Sequence, residues 1–361
     1  MEIKKVAIKR PKCFNKLNVL ATLLGTLITG CHWVSLGYQA LTYPTTTAQG
    51  MSNVVILDHF AYLATASKGI TILDLDDPNQ IGLIQPPSDL DQINDLSIAD
   101  GFLFALDATP NGHLAVFSLK DPGHPVQVGQ TIEVPVGPFS GVSAAKGIVV
   151  VSGGTSQLTL REYLTNGHLG EEIVTADYGR GQPDVLVSND GKHLFVSTHY
   201  FGPQFGLTLS DVTRSPLRLK TMASLPIEGA GFTSGGFKPA NFPMDLAINK
   251  NTLFLGYEKG LAVISTEDLR SPTLESIIPL PFKAVNVDVF NNLVAVCGKG
   301  KEIQAALYRI QNHGPPILIH SYSFDKGASP TGIALNERHV VVALQGKGFK
   351  VFNHKNEDLT I

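Results

Sequence analysis

A unit of four short apolar strands recurs along this chain from about residue 52, and no other feature narrows the fold as much. Each copy opens with an apolar strand and turns tightly into a second one. A Gly then leads into a third strand, and a Pro-containing turn into a weaker fourth. The first copy reads NVVILDHFAYLATASKGITILDLDDPNQIGLIQ from Asn53. The second reads DLSIADGFLFALDATPNGHLAVFSLKDPGHPVQVG from Asp95, and the fifth reads DLAINKNTLFLGYEKGLAVISTEDLRSPTLES from Asp245. The Lys-Gly pair that opens strand three recurs as Lys68-Gly69, Lys259-Gly260 and Lys347-Gly348. The Pro of the last turn recurs as Pro78, Pro122, Pro216, Pro272 and Pro315, while the weaker third copy has Asn166-Gly167 there.

Pro78 and Pro122 stand 44 residues apart, and Pro272 and Pro315 stand 43 apart. A period in the forties with four strands per unit is that of a propeller blade. The second strands agree: FLFALDA, GIVVVSG, LVAVCG and VVVALQG are near-continuous apolar runs. A blade has a neighbour on each face, so both faces of its inner strands are buried and alternation disappears. The spread of 35 Gly and 22 Pro along the chain suits many turns. The expected fold is an all-β β-propeller over residues 51–355, with starts near Asn53, Asp95, Gly141, Asp184, Asp245, Asp288 and Thr331. That makes seven four-stranded blades. Six or eight remain as alternatives, because the third copy and the 226–242 insertion are irregular. The last unit stops at Lys355 with little room for a fourth strand, so a strand from about residues 36–45 is expected to complete it.

Ahead of the repeat, residues 1–16 are basic and residues 17–30, LNVLATLLGTLITG, are uncharged. This is the layout of a cleaved secretory signal. Its apolar run is shorter than the roughly 20 residues that span a bilayer. The segment ends in Ile28-Thr29-Gly30-Cys31, which resembles the lipobox of bacterial lipoproteins. The resemblance implies a signal peptide over 1–30 and a diacylated Cys31 as the first mature residue. Several acyl chains anchor stably where one is marginal. An ordinary signal peptide with a chance Cys, or an uncleaved anchor, is the other reading. His32 rather than Asp follows the Cys, a pattern that resembles outer-membrane sorting in Gram-negative lipoproteins. Residues 31–50 then read as a lipidated tether, and 356–361 as a C-terminal tail.

Two further resemblances concern the repeat itself. AYLATASKGITILDLDDP, from Ala61, looks like an LVIVD repeat. Leu186-VSNDGKHLFVS-Thr198 looks like a blade of the YVTN and lactonase-like propellers. Both imply the fold and neither implies one activity, since propellers host many.

Asp95, Asp184, Asp245 and Asp288 recur at the start of the first strand in four units. First strands line a propeller's channel, so these carboxylates are candidate ion or ligand contacts at its mouth. The competing reading, which is favoured, has each accept backbone hydrogen bonds where a blade begins. Two Gly-rich loops break the repeat and carry aromatics: His199, Tyr200, Phe201 and Phe205 in one, Phe232 and Phe237 in the other. Loops that depart from a repeat often carry function, which makes these six residues candidate partner contacts.

Other chemistry is sparse. No HExxH, CxxC or haem-attachment motif occurs, so no metal and no cofactor is expected. Gly231-Phe-Thr-Ser-Gly235 lacks the spacing of a nucleophile elbow. Cys13, Cys31 and Cys297 cannot build a disulfide framework, and Cys297 in Leu293-Val-Ala-Val-Cys297 reads as a small core residue. The first 30 residues hold six Lys or Arg and one acid, so the chain's net −3 becomes −8 for the remainder. That balance offers no nucleic-acid footprint. The expected protein is an exported, lipid-anchored propeller. It would be held at the outer membrane, facing periplasm or cell surface, where it binds an envelope protein or polysaccharide without catalysis. The alternative is a lactonase-like or other hydrolase working at the channel mouth.

Overall fold

The computed structural model describes residues 40–41 and 51–354, apart from 66–68, 78–80, 86–89, 91, 108–111, 135–140, 153–156, 178–183, 199–205, 215–216, 228–242 and 258–259. The signal segment, Cys31 and the C-terminal tail lie outside the described residues.

Seven antiparallel sheets follow one another along the chain, each a propeller blade. Blade one runs from the inside outwards as Met51–Leu57, Phe60–Thr65, Gly69–Asp74 and Ile81–Ile84. The innermost strands of blades two to seven are Ile93–Ala99, Val142–Ala145, Val185–Val187, Pro243–Asn249, Phe282–Phe290 and Ser329–Leu335. Blade two departs slightly from the pattern. Its outer place is shared by Val126–Gln127 and Ile132–Glu133, both paired to His113–Ser118. The fourth strand of blade seven comes from the other end of the chain: Ala40–Leu41 pairs antiparallel with Phe352 and Val351. Of the strand expected over about 36–45, the described residues hold Ala40–Leu41, which supplies blade seven with its fourth strand.

In five blades the first turn is a two-residue hairpin that opens in left-handed backbone. Asp58, Asp100, Lys146, Lys250 and Asn291 all sit at φ between 48° and 54°. In two of these turns a Gly follows, Gly101 at φ 81° and Gly147 at φ 79°.

The core is divided into seven apolar clusters, one at each junction between consecutive blades. Along Phe60–Thr65, Ala61 and Leu63 pack against blade seven, while Tyr62 and Ala64 pack against blade two. The same division sends Val149 and Val151 to blade two and Ile148 and Val150 to blade four. This is why the second strands read as continuous apolar runs. Each fully buried Leu or Phe in these layers contributes about 1.5–3 kcal/mol. Cys297 belongs to the cluster between blades six and seven, where burial pushes its thiol up and keeps it unreactive.

Candidate functional site: the polar ring at the channel mouth

The innermost strands enclose a central cavity of about 320 Å³, lined by Asn53, Asp95, Asp184, Asp245, Asn286 and Asp288 among apolar residues. Its polar end is built by backbone irregularity. A β-bulge precedes Asp95 in blade two, Asp245 in blade five and Asn286 in blade six. Bulges re-aim side chains, and here each turns a polar group across to the next blade. Blades three and four use a serine instead. The Gly141 N–H donates to Ser152 Oγ at 2.7 Å, and the Asp184 N–H to Ser197 Oγ at 3.0 Å.

This register corrects one sequence expectation. Asn286, not Asp288, holds the place in blade six that Asp95 and Asp245 hold in theirs, because the bulge falls between Ala284 and Asn286. Asp288 lies two residues further along the strand, at a second level of the channel.

Side chains on the inner strands join every pair of neighbouring blades. The Asn53 amide of blade one donates to the Asp95 carboxylate of blade two. Asp95 Oδ2 accepts the Val142 N–H of blade three at 2.7 Å. Ser143 Oγ accepts the Val187 N–H of blade four at 2.9 Å, and Asp184 Oδ2 accepts the Leu246 N–H of blade five at 3.0 Å. Asp245 Oδ2 accepts the Val287 N–H of blade six at 2.7 Å and the Asn286 amide as well. Asn286 Oδ1 accepts the Ile333 N–H of blade seven at 2.6 Å, and Asp288 Oδ2 the Leu335 N–H at 2.9 Å. Thr331 Oγ1 donates to the Met51 carbonyl at 2.7 Å, joining blade seven to blade one. A bond to an ionised carboxylate contributes about 1.5–3 kcal/mol and a neutral one about 1 kcal/mol.

The acids are deep enough in the channel for burial to penalise their charge. Asp95 is pushed up to about 7, first by burial and then by the nearby Asp184 charge, against the opposing Val142 N–H. Burial likewise raises Asp184 and Asp288 to about 6. Asp245 stands well above the usual range, through burial and then the charge of Asp184, to which its side chain is hydrogen-bonded. The residue between Asp95 and Asp184 around the ring is Gly141. A Cβ there would lie 2.9 Å from Asp184 Oδ1 and 3.4 Å from Asp95 Oδ2, so the glycine lets both carboxylates lean into one arc. Among the described residues no group of three or more His, Cys, Asp or Glu is placed to hold a metal ion.

Sequence reasoning missed Asn53, Asn286 and Ser143 as ring members. It also missed a larger cleft of about 1150 Å³ on the opposite face, beside the first turns of blades two to four. Asp100, Phe102, Lys146, Tyr163 and the exposed Leu164 line it. There Asp100 Oδ2 accepts the Tyr163 hydroxyl at 2.8 Å and the Gly147 N–H at 3.1 Å. His199, Tyr200, Phe201, Phe205, Phe232 and Phe237 lie outside the described residues. The strand ends that flank them do not: strands ending at Thr198 and Pro226, and beginning at Gly206 and Pro243, end or begin on the mouth side of the ring.

No family model and no curated protein matches the chain. Solved structures do. A streptogramin B lyase is similar at 14% identity and a TM-score of 0.60, over 86% of this chain and 95% of its own. Virginiamycin B lyase from Staphylococcus aureus is similar at 13% identity and a TM-score of 0.61, over 87% and 98%. The WD40 repeats of RRP9 are similar at 10% identity and a TM-score of 0.60, over 87% and 96%. At such identities the likeness is one of fold: the chain is a seven-bladed β-propeller.

Proposed function

We propose that this chain is a lipoprotein β-propeller, anchored through Cys31, that acts at the cell envelope as a non-catalytic binding or scaffold protein. The similar folds include both lyases and WD40-repeat proteins, so fold alone favours neither an enzyme nor a scaffold. What supports the binding reading is the use made of the channel carboxylates. Asp95, Asp184, Asp245 and Asp288 each accept a backbone N–H from the following blade. A group committed to holding two blades together is poorly placed to attack or deprotonate a substrate. The partner, an envelope protein or a polysaccharide, would meet the mouth face, on whose side the two aromatic loops leave their strands.

Crosslinking of the full-length protein in intact cells tests this. One discrete partner is expected, weakened when Phe201 and Phe232 are changed to Ser and lost from the membrane fraction in Cys31→Ser. Recovery of monomer alone under all conditions would refute it. So would hydrolytic turnover by purified protein that Asp184→Ala abolishes.

A further inference from the structure

Blade six contains a natural control for the carboxylates. Asn286 occupies the same ring place as Asp95 and Asp245, and its amide oxygen accepts the Ile333 N–H at 2.6 Å. That ring place therefore requires an acceptor and not a charge, although Asp288, one level deeper, also accepts the Leu335 N–H across the same junction. Yet blades two, four and five place acids there, and those acids crowd into one arc. Gly141 supplies no side chain to separate Asp95 from Asp184, and Asp184 is hydrogen-bonded to Asp245 side chain to side chain.

Two carboxyl groups in such contact need a proton between them, because both cannot be ionised side by side. The described residues lining the channel include no Lys, Arg or His. Among the described residues, the other titratable groups facing the arc are Asp288 one level deeper and the buried Cys297 thiol behind Asp245. Asn53 and Asn286 are neutral.

We propose that Asp95, Asp184 and Asp245 form a proton-operated clasp. A proton held by Asp245 and shared with Asp184 keeps blades four, five and six drawn together at the mouth, and its loss as pH rises loosens that arc of the ring. The sign follows from burial. Each carboxyl binds its proton more tightly folded than unfolded, so the clasp's contribution is complete at acidic pH. It declines as pH climbs through about 6 for Asp184 and about 7 for Asp95.

Amide hydrogen exchange on the full-length protein between pH 5 and pH 8 reads the clasp directly, once the intrinsic pH dependence of exchange is divided out. Protection at Leu246 and Val287, the amides held by Asp184 and Asp245, is expected to fall by about tenfold or more over that range. Protection at Ile333, held by Asn286, should stay flat by comparison. The infrared band of a protonated carboxyl should persist at pH 7 and lose intensity in Asp245→Asn, leaving the share that Asp95 carries, while Val287 protection in that variant should become as flat as that of Ile333. The wild-type comparison decides the matter even if the variant does not fold. Equal pH dependence at Leu246, Val287 and Ile333, or the absence of a protonated carboxyl at pH 7, overturns the proposal.

Discussion

The two halves of the channel ring solve the same mechanical problem with different chemistry. From blade four to blade six the junctions are held by Asp184 and Asp245. At the ring level, those between blades three and four, six and seven, and seven and one use the Ser143 hydroxyl, the Asn286 amide and the Thr331 hydroxyl, with Asp288 joining six and seven one level deeper. The neutral half shows that a single well-placed acceptor or donor is enough. The acidic half accepts more than one donor per side chain, since Asp245 Oδ2 takes both the Val287 N–H and the Asn286 amide. It does so at the expense of placing charge where burial opposes it. Strength at one pH is exchanged for weakness at another.

The largest effect should come from breaking the acidic half. Asp245→Ala strands two donors and is expected to lower stability by about 2–3 kcal/mol at pH 5. The loss should shrink towards pH 8, where the wild-type carboxyl is itself costly to keep ionised. Urea denaturation midpoints at the two pH values measure the difference. Ser143→Ala probes the neutral half. It removes one acceptor from the Val187 N–H and should lower stability by about 1 kcal/mol at both pH values. The smallest effect belongs to a contact outside the ring. Arg338 of blade seven donates to the Asp76 carboxylate of blade one, with both side chains nearly half exposed. Arg338→Ala should shift the midpoint by no more than about 0.5 kcal/mol, and less in high salt. A shift for Arg338→Ala as large as that for Asp245→Ala would show that the ring is held at its surface instead.

Much of this arrangement is written in local pattern. The period of the Pro turns, the continuous apolar second strands and the missing last strand follow from hydrophobicity and chain length. The structure realises them as seven clusters and a strand at Ala40–Leu41. The polar ring was only partly legible. Asp95, Asp184 and Asp245 stand out because an acid ahead of an apolar strand is conspicuous. Asn286 does not stand out, since Asp288 two residues on imitates the pattern and the bulge that decides between them leaves no mark in composition. Ser143 reads as one more small residue in an apolar strand, and only the neighbouring blade's Val187 gives it a task. Gly141 is equally silent. Its value lies in the volume it leaves for two carboxylates belonging to other blades.

The closing strand has a consequence for tension. Among the described residues, two pairs, Ala40 with Phe352 and Leu41 with Val351, tie the segment before residue 51 into the ring. A pull on the chain from its N-terminal side would enter the propeller through those pairs. Blade seven would lose its outermost strand before any apolar layer felt the load, much as a seam gives at its last stitch while the cloth stays whole.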